Sequence, residues 1–179
     1  MEQQPHIVRG VLAGIAGGLV ASWVMNQFMA GPGKKLVRAV QSDEKNWQDT
    51  IAEVESSGQP KEDATMKAAD AIVHAATGGR HLSWEQKEKA GPVVHYAFGA
   101  LMGGLYGGLS EYSCAVRSGY GCTFGSTLFA SADLVAVPAL HLSPSEDSSL
   151  TPALLSPFAA HLVYGVTTEL VRRSIRTIL

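Results

Sequence analysis

Three stretches of this sequence contain no charged residue. GVLAGIAGGLVASWVMNQFMAGPG lies between Arg9 and Lys34, AGPVVHYAFGALMGGLYGGLS between Lys89 and Glu111, and SSLTPALLSPFAAHLVYGVTT between Asp147 and Glu169. Each runs to about 20 residues or slightly more, the length an α-helix needs to cross about 30 Å of hydrocarbon. A fourth stretch, from Ser118 to Ser145, carries only Asp133 and Arg117 stands just before it. Buried helices of a soluble bundle would show charged faces at helical period, and these stretches show none. The expected fold is all-α: a polytopic membrane protein with four transmembrane helices. The spans fall at about residues 10–30, 90–111, 118–142 and 150–171, with a helical insert at 31–88, in a single membrane domain over residues 1–179.

Composition averages hide this pattern. Charged residues make up 17% of the chain and the net charge is -2, values that would suit a soluble protein. The charges are gathered in blocks between the uncharged stretches. No basic stripe with interleaved aromatics is present, so nucleic acid is not an expected partner. Cys114 and Cys122 are the only cysteines and form no CxxC, which argues against a thiolate metal site or a disulfide framework. The first stretch is too long for the apolar region of a cleaved signal and is flanked only by Arg9, so it reads as a signal anchor.

Glycine recurs every four residues inside the stretches. Gly10, Gly14 and Gly18 mark the first span, and Gly99, Gly103 and Gly107 the second, with Gly104 and Gly108 beside them. Gly121 and Gly125 repeat the spacing in the third. Small residues at this interval form a groove that lets helix backbones approach closely. In water each glycine would cost a helix roughly 1 kcal/mol against alanine. In lipid the backbone groups have no alternative partner, so the helix persists. The spacing leaves open whether the partner helix belongs to the same chain or to another copy.

Residues 31–88 hold most of the charge. Leu36, Val40, Trp47, Ile51 and Val54 fall at helical spacing, and SSGQP then breaks the pattern. A second helix is expected to open at Pro60 and to close at Gly78 and Gly79, with Met66, Ala69, Val73 and Ala76 on one face. The pair reads as a helical hairpin on the membrane surface or over the span ends. Arg9, Arg117, Arg172, Arg173 and Arg176 lie on one side of four spans, while Glu146 and Asp147 lie on the other. The positive-inside rule then places both termini in the cytoplasm, against the opposing pull of Lys34, Lys35 and Arg38.

Ionisable residues inside spans are costly, which makes each a candidate for function. His95, Asp133 and His161 sit on three different spans, at depths of about 9, 13 and 16 Å from one face at the helical rise of about 1.5 Å per residue. Such a set could relay protons, bind a divalent metal, or only satisfy its own hydrogen bonds. Two histidines could also hold a haem, although no haem attachment motif is present. No cofactor is assigned. At the other face Glu111, Glu169, Arg172 and Arg173 form an expected interfacial charge cluster, with Glu169 and Arg173 four apart on one helix. His141 reads as interfacial, and His6, His74 and His81 receive no role. No nucleophile elbow, phosphate loop or zinc-protease motif occurs, so an enzyme is not expected.

From the second span onward the sequence resembles the YagU-like family of bacterial inner-membrane proteins, whose function is undefined. The resemblance rests on VVHYAFGALMGGLYGGLSE, with His95 sixteen residues before Glu111. It continues through VPALHLSP and closes with HLVYGVTTELVRRSIR. Carried onto this chain, the family pattern falls on His95, Glu111, Pro138, His161, Glu169, Arg172 and Arg173. At Asp133 the resemblance implies a histidine, so this chain departs from it there while keeping an ionisable group. The resemblance implies a bacterial inner-membrane location and supplies no reaction. Two functions follow as expectations. One is proton or ion handling through His95, Asp133 and His161. The other is a structural or accessory subunit that packs through its glycine faces in a homo-oligomer or a larger membrane complex.

Overall fold

The computed structural model describes residues 6–41, 62–142 and 154–178, and every regular element among them is helical. In chain order these are α1 (Ile7–Ala30), α2 (Pro32–Gln41), α3 (Ala64–Thr77), α4 (Trp84–Leu109), a 3-10 turn (Ser118–Gly121), α5 (Cys122–Ser131), a π-helical segment (Ala132–Ala136), α6 (Val137–Ala139) and α7 (Leu155–Arg176). Among the described residues two stretches are long and apolar enough to cross a membrane. They are Ile7–Ala30, at mean hydropathy 1.7, and Ser118–Ala139, at 1.3. The second and fourth expected spans correspond to α4 and α7, whose ends carry charged residues: WEQKEK opens α4, and α7 closes on Glu169, Arg172, Arg173 and Arg176.

α1 is the central helix, packed against both α4 and α7. α5 lies on α7, and α3 lies on α4. The α1–α4 contact is built from the glycines. A Cβ added at Gly10, Gly14 or Gly18 would strike the carbonyl oxygen of Gly107, Gly103 or Gly99 respectively. The two rows run antiparallel and mesh residue against residue within one chain. α1 meets α7 through Gly17, whose missing Cβ would fall on the Thr168 carbonyl, and through the fully buried Ala13, Ala21 and Ala160. α5 meets α7 the same way, with Gly121 and Gly125 against the carbonyls of Gly165 and His161. Close backbone approach of this kind gains dispersion contacts that any larger side chain would prevent. Tyr164 joins three helices: its hydroxyl donates to the Gly99 carbonyl at 2.6 Å and passes over Gly18.

The third expected span is not one regular α-helix. It opens with left-handed backbone at Gly119, Tyr120 and Gly121 (φ 62, 53 and 89°) and passes through the π-helical segment before Pro138. Pro138 has no N–H to donate and its ring crowds the carbonyl four residues earlier. The Val137 N–H reaches instead to the Ala132 carbonyl, five residues back, and the turn widens there.

In the insert, the expected helix opening at Pro60 lies outside the described residues, as do Trp47, Ile51 and Val54. α3 begins at Ala64 because the Asp63 carboxylate caps it, accepting from the Met66 N–H at 2.8 Å. It ends at Gly78, in left-handed conformation as a helix C-terminus favours. Of the expected apolar face, Met66 and Ala69 are buried against α4, Val73 is half-buried and Ala76 is exposed. The face rotates away from α4 beyond its first turns.

Candidate functional site

The π-helical segment decides where Asp133 stands. It brings the carboxylate 3.4 Å (Oδ2) from Nδ1 of His161 on α7. The same nitrogen is 2.9 Å from the carbonyl of Pro157, one turn earlier on α7. A protonated Nδ1 donates to the Pro157 carbonyl, and the Asp133 carboxylate stands beside the same nitrogen. His161 is nearly enclosed, with an 11% exposed side chain, and Asp133 keeps 32% of its side chain exposed. Phe129 packs on the imidazole at 5.6 Å between centroids. A half-open carboxylate beside an enclosed imidazole makes a pair with one member accessible from outside the helix packing.

His95 does not join this pair. No hydrogen bond to Asp133 or His161 is made, its Nε2 is enclosed without a partner, and its ring stands edge-on to Tyr96 at 5.8 Å. The expected three-membered set is thus a pair with a histidine to one side. The reason is rotational: depth along a helix follows from residue count, but the direction a side chain faces follows from packing, and α4 is turned by its glycine row toward α1. Among the described residues no group of three or more histidines, cysteines or acids is placed to hold a metal ion.

At the opposite end of the bundle the charged residues form a buried network. Arg172 donates to Glu169 through Nε (2.7 Å) and Nη2 (3.0 Å), and Arg173 donates to the same carboxylate through Nε. The Tyr106 hydroxyl completes it at 3.0 Å. Glu169 is fully buried and Arg172 is 4% exposed. Glu111 does not take Arg172 or Arg173 as its main partner. It holds Arg176 in a two-pronged pair at 2.7 Å on both oxygens, with Arg172 Nη1 at 3.9 Å. It also accepts from the His6 N–H at 3.2 Å, at the start of α1, where a helix favours negative charge. Arg176 and Tyr106 were missing from the cluster expected on sequence grounds. The spacing held a signal for the first, because Arg172 and Arg176 are four apart, as are Glu169 and Arg173. Tyr106 is placed by stacking on Phe124 at 4.4 Å, which only the tertiary fold supplies.

A third group of polar residues lies where α3 meets α4. Asp70 accepts from the Leu82 N–H at 2.6 Å, from His81 at 2.9 Å and from Lys87 at 3.2 Å. The backbone hydrogen bond of Leu82, then His81, hold its carboxyl well below the usual carboxylate range. Glu62 foremost raises Lys87 above its ordinary value, through a 2.7 Å pair. His74 stacks on His81 at 4.5 Å.

Residues 65–170, more than half of the chain, match the family described as protein of unknown function (DUF1440). The chain belongs to that family. The DUF1440 match takes in His95, Asp133 and His161, together with Glu111 and Glu169, and ends just before Arg172. The resemblance to YagU-like proteins is consistent with it, since each is a family without an assigned function. No curated protein and no solved structure matches the chain.

Proposed function

We propose that this DUF1440 protein is a small integral membrane protein of four spans that moves protons through the Asp133–His161 pair. The carboxylate–imidazole contact within the broken helix carries the reading. The long apolar stretches Ile7–Ala30 and Ser118–Ala139 support a membrane setting. So do the exposed Leu12, Trp23, Leu101, Leu105 and Val135, which water would disfavour and acyl chains would cover. α4 and α7 are taken as the other two of the four spans because both pack against α1. The proposed location is the bacterial inner membrane, with both termini cytoplasmic and residues 31–88 outside. The protein is not proposed to be an enzyme.

The chemistry needs two groups that exchange one proton. An imidazolium at His161 passes the Nδ1 proton to Oδ2 of Asp133, leaving a neutral imidazole and a carboxylic acid. π-Helical turns recur at functional sites because they re-aim a side chain that a regular helix would direct elsewhere. The test is Asp133→Asn in liposomes with an internal pH-sensitive dye. Folded Asp133→Asn should lose proton flux that the unaltered protein supports. Equal flux in the two would overturn the reading.

A second reading is an accessory subunit in a homo-oligomer or larger complex. The glycine rows do not favour it, since they are used within the chain. An apolar groove of about 390 Å³ along the outer side of α1 and α4, lined by Ile7, Val11, Ile15, Leu105 and Tyr112, does favour it. A larger oligomer in mild detergent that Leu105→Trp dissociates would support this alternative.

A further inference from the structure

Three histidines to which the sequence assigns no shared role line one pocket. His74 comes from α3, His81 from the α3–α4 connection and His141 from the end of the broken helix, where it adopts left-handed backbone at φ 54°. The pocket has a volume of about 370 Å³, and Glu62, Lys67, Asp70 and Lys87 line it as well. It opens at the end of the bundle where α4 and α7 begin and the broken helix finishes. His141 is eight residues beyond Asp133, or about 12 Å along a helix. The partly exposed carboxylate thus stands on the broken helix between this pocket and the buried arginine network at the other end.

From this placement we infer that the pocket between the α3–α4 hairpin and the end of the broken helix gathers protons and delivers them toward Asp133. The inference rests on the proton-moving reading and adds the side and the groups through which protons arrive. Imidazole is the side chain that takes up and releases protons near neutral pH. Asp70 fixes one nitrogen of His81, and the stacked His74 ring places a second imidazole 4.5 Å away. The two carboxylates and two lysines of the lining balance in charge, so the pocket neither repels cations nor holds them fast. Each ring exchanges its proton with water in the pocket, and His141 stands on the side of Asp133.

Liposomes holding the whole protein and a trapped pH dye test this, under a potassium diffusion potential, in dilute and in concentrated external buffer. The double variant His74→Gln/His81→Gln should slow proton uptake several-fold in dilute buffer. Concentrated buffer should restore it, because mobile buffer molecules then deliver protons in place of the imidazoles. Asp133→Asn should lose flux in both buffers. His141→Gln, outside the α3–α4 hairpin, serves should the double variant fail to fold, with the same rescue expected. Undiminished uptake by these variants in dilute buffer, or a loss that buffer does not rescue, overturns the inference and leaves the Asp133 reading standing. No uptake by the unaltered protein overturns both.

Discussion

At the scale of residues, the two charged groupings differ in what burial demands of them. Glu111 and Arg176 are almost enclosed, at 7 and 8% side-chain exposure, and meet through two hydrogen bonds. Removing one member leaves the other charge without its partner, which for buried pairs costs about 3–5 kcal/mol. Glu111→Leu should therefore lower stability in detergent by about that amount. Glu111→Leu combined with Arg176→Met should recover most of it, because no charge is then left alone. Thermal unfolding of the single and double variants measures both, and additive losses would contradict the pairing. Glu169 has three donors besides its burial, so Tyr106→Phe should be milder, on the order of 1 kcal/mol for one hydrogen bond. Asp133 differs from both carboxylates: a single imidazole faces it and a third of its side chain is open. That contrast in satisfaction is the residue-level reason to place chemistry at Asp133 and structure at Glu111 and Glu169.

At the scale of elements, the α1–α4 contact and the α3–α4 hairpin make separate predictions. Gly103 lies where an added Cβ would meet the Gly14 carbonyl and the Gly18 backbone. Gly103→Leu should force the helices apart and destabilise by at least the 1–3 kcal/mol typical of overpacking. Unchanged detergent stability would show that the two rows do not mesh. The hairpin should respond to acid. The folded carboxyl of Asp70 titrates below its unfolded value, so the hairpin gains stability from it above the unfolded value of about 4. That gain is lost as pH falls through the lower folded value. The protection factor of the Leu82 amide should be high at neutral pH and fall in strong acid, and Asp70→Asn should lack that protection at neutral pH and match the unaltered protein in strong acid. The periodic apolar face of α3 was legible in the sequence because Met66 and Ala69 repeat at helical spacing. Its rotation away from α4 after the first turns was not, since spacing does not say how far two helices stay in contact.

At the scale of the whole molecule, one labelling experiment tests the proposed orientation. With Cys114 and Cys122 replaced by serine, a cysteine at the exposed Ala75 on α3 should react with an impermeant thiol reagent in intact cells. Reaction only after lysis would invert the proposed topology. The sequence by itself determined the helical class, the long uncharged stretches, the glycine intervals and the position of each ionisable group along its stretch. These follow from period and composition, which act locally along the chain. Only the tertiary structure decided that the glycine rows of α1 and α4 mesh with each other, because an interval of four defines a groove without naming its partner. Only the tertiary structure left His95 without a hydrogen bond to Asp133 or His161, gave Glu111 to Arg176, and gathered His74, His81 and His141 around one pocket. Each of those outcomes depends on the rotation of one helix about its axis relative to another, and rotation is set by packing across the bundle.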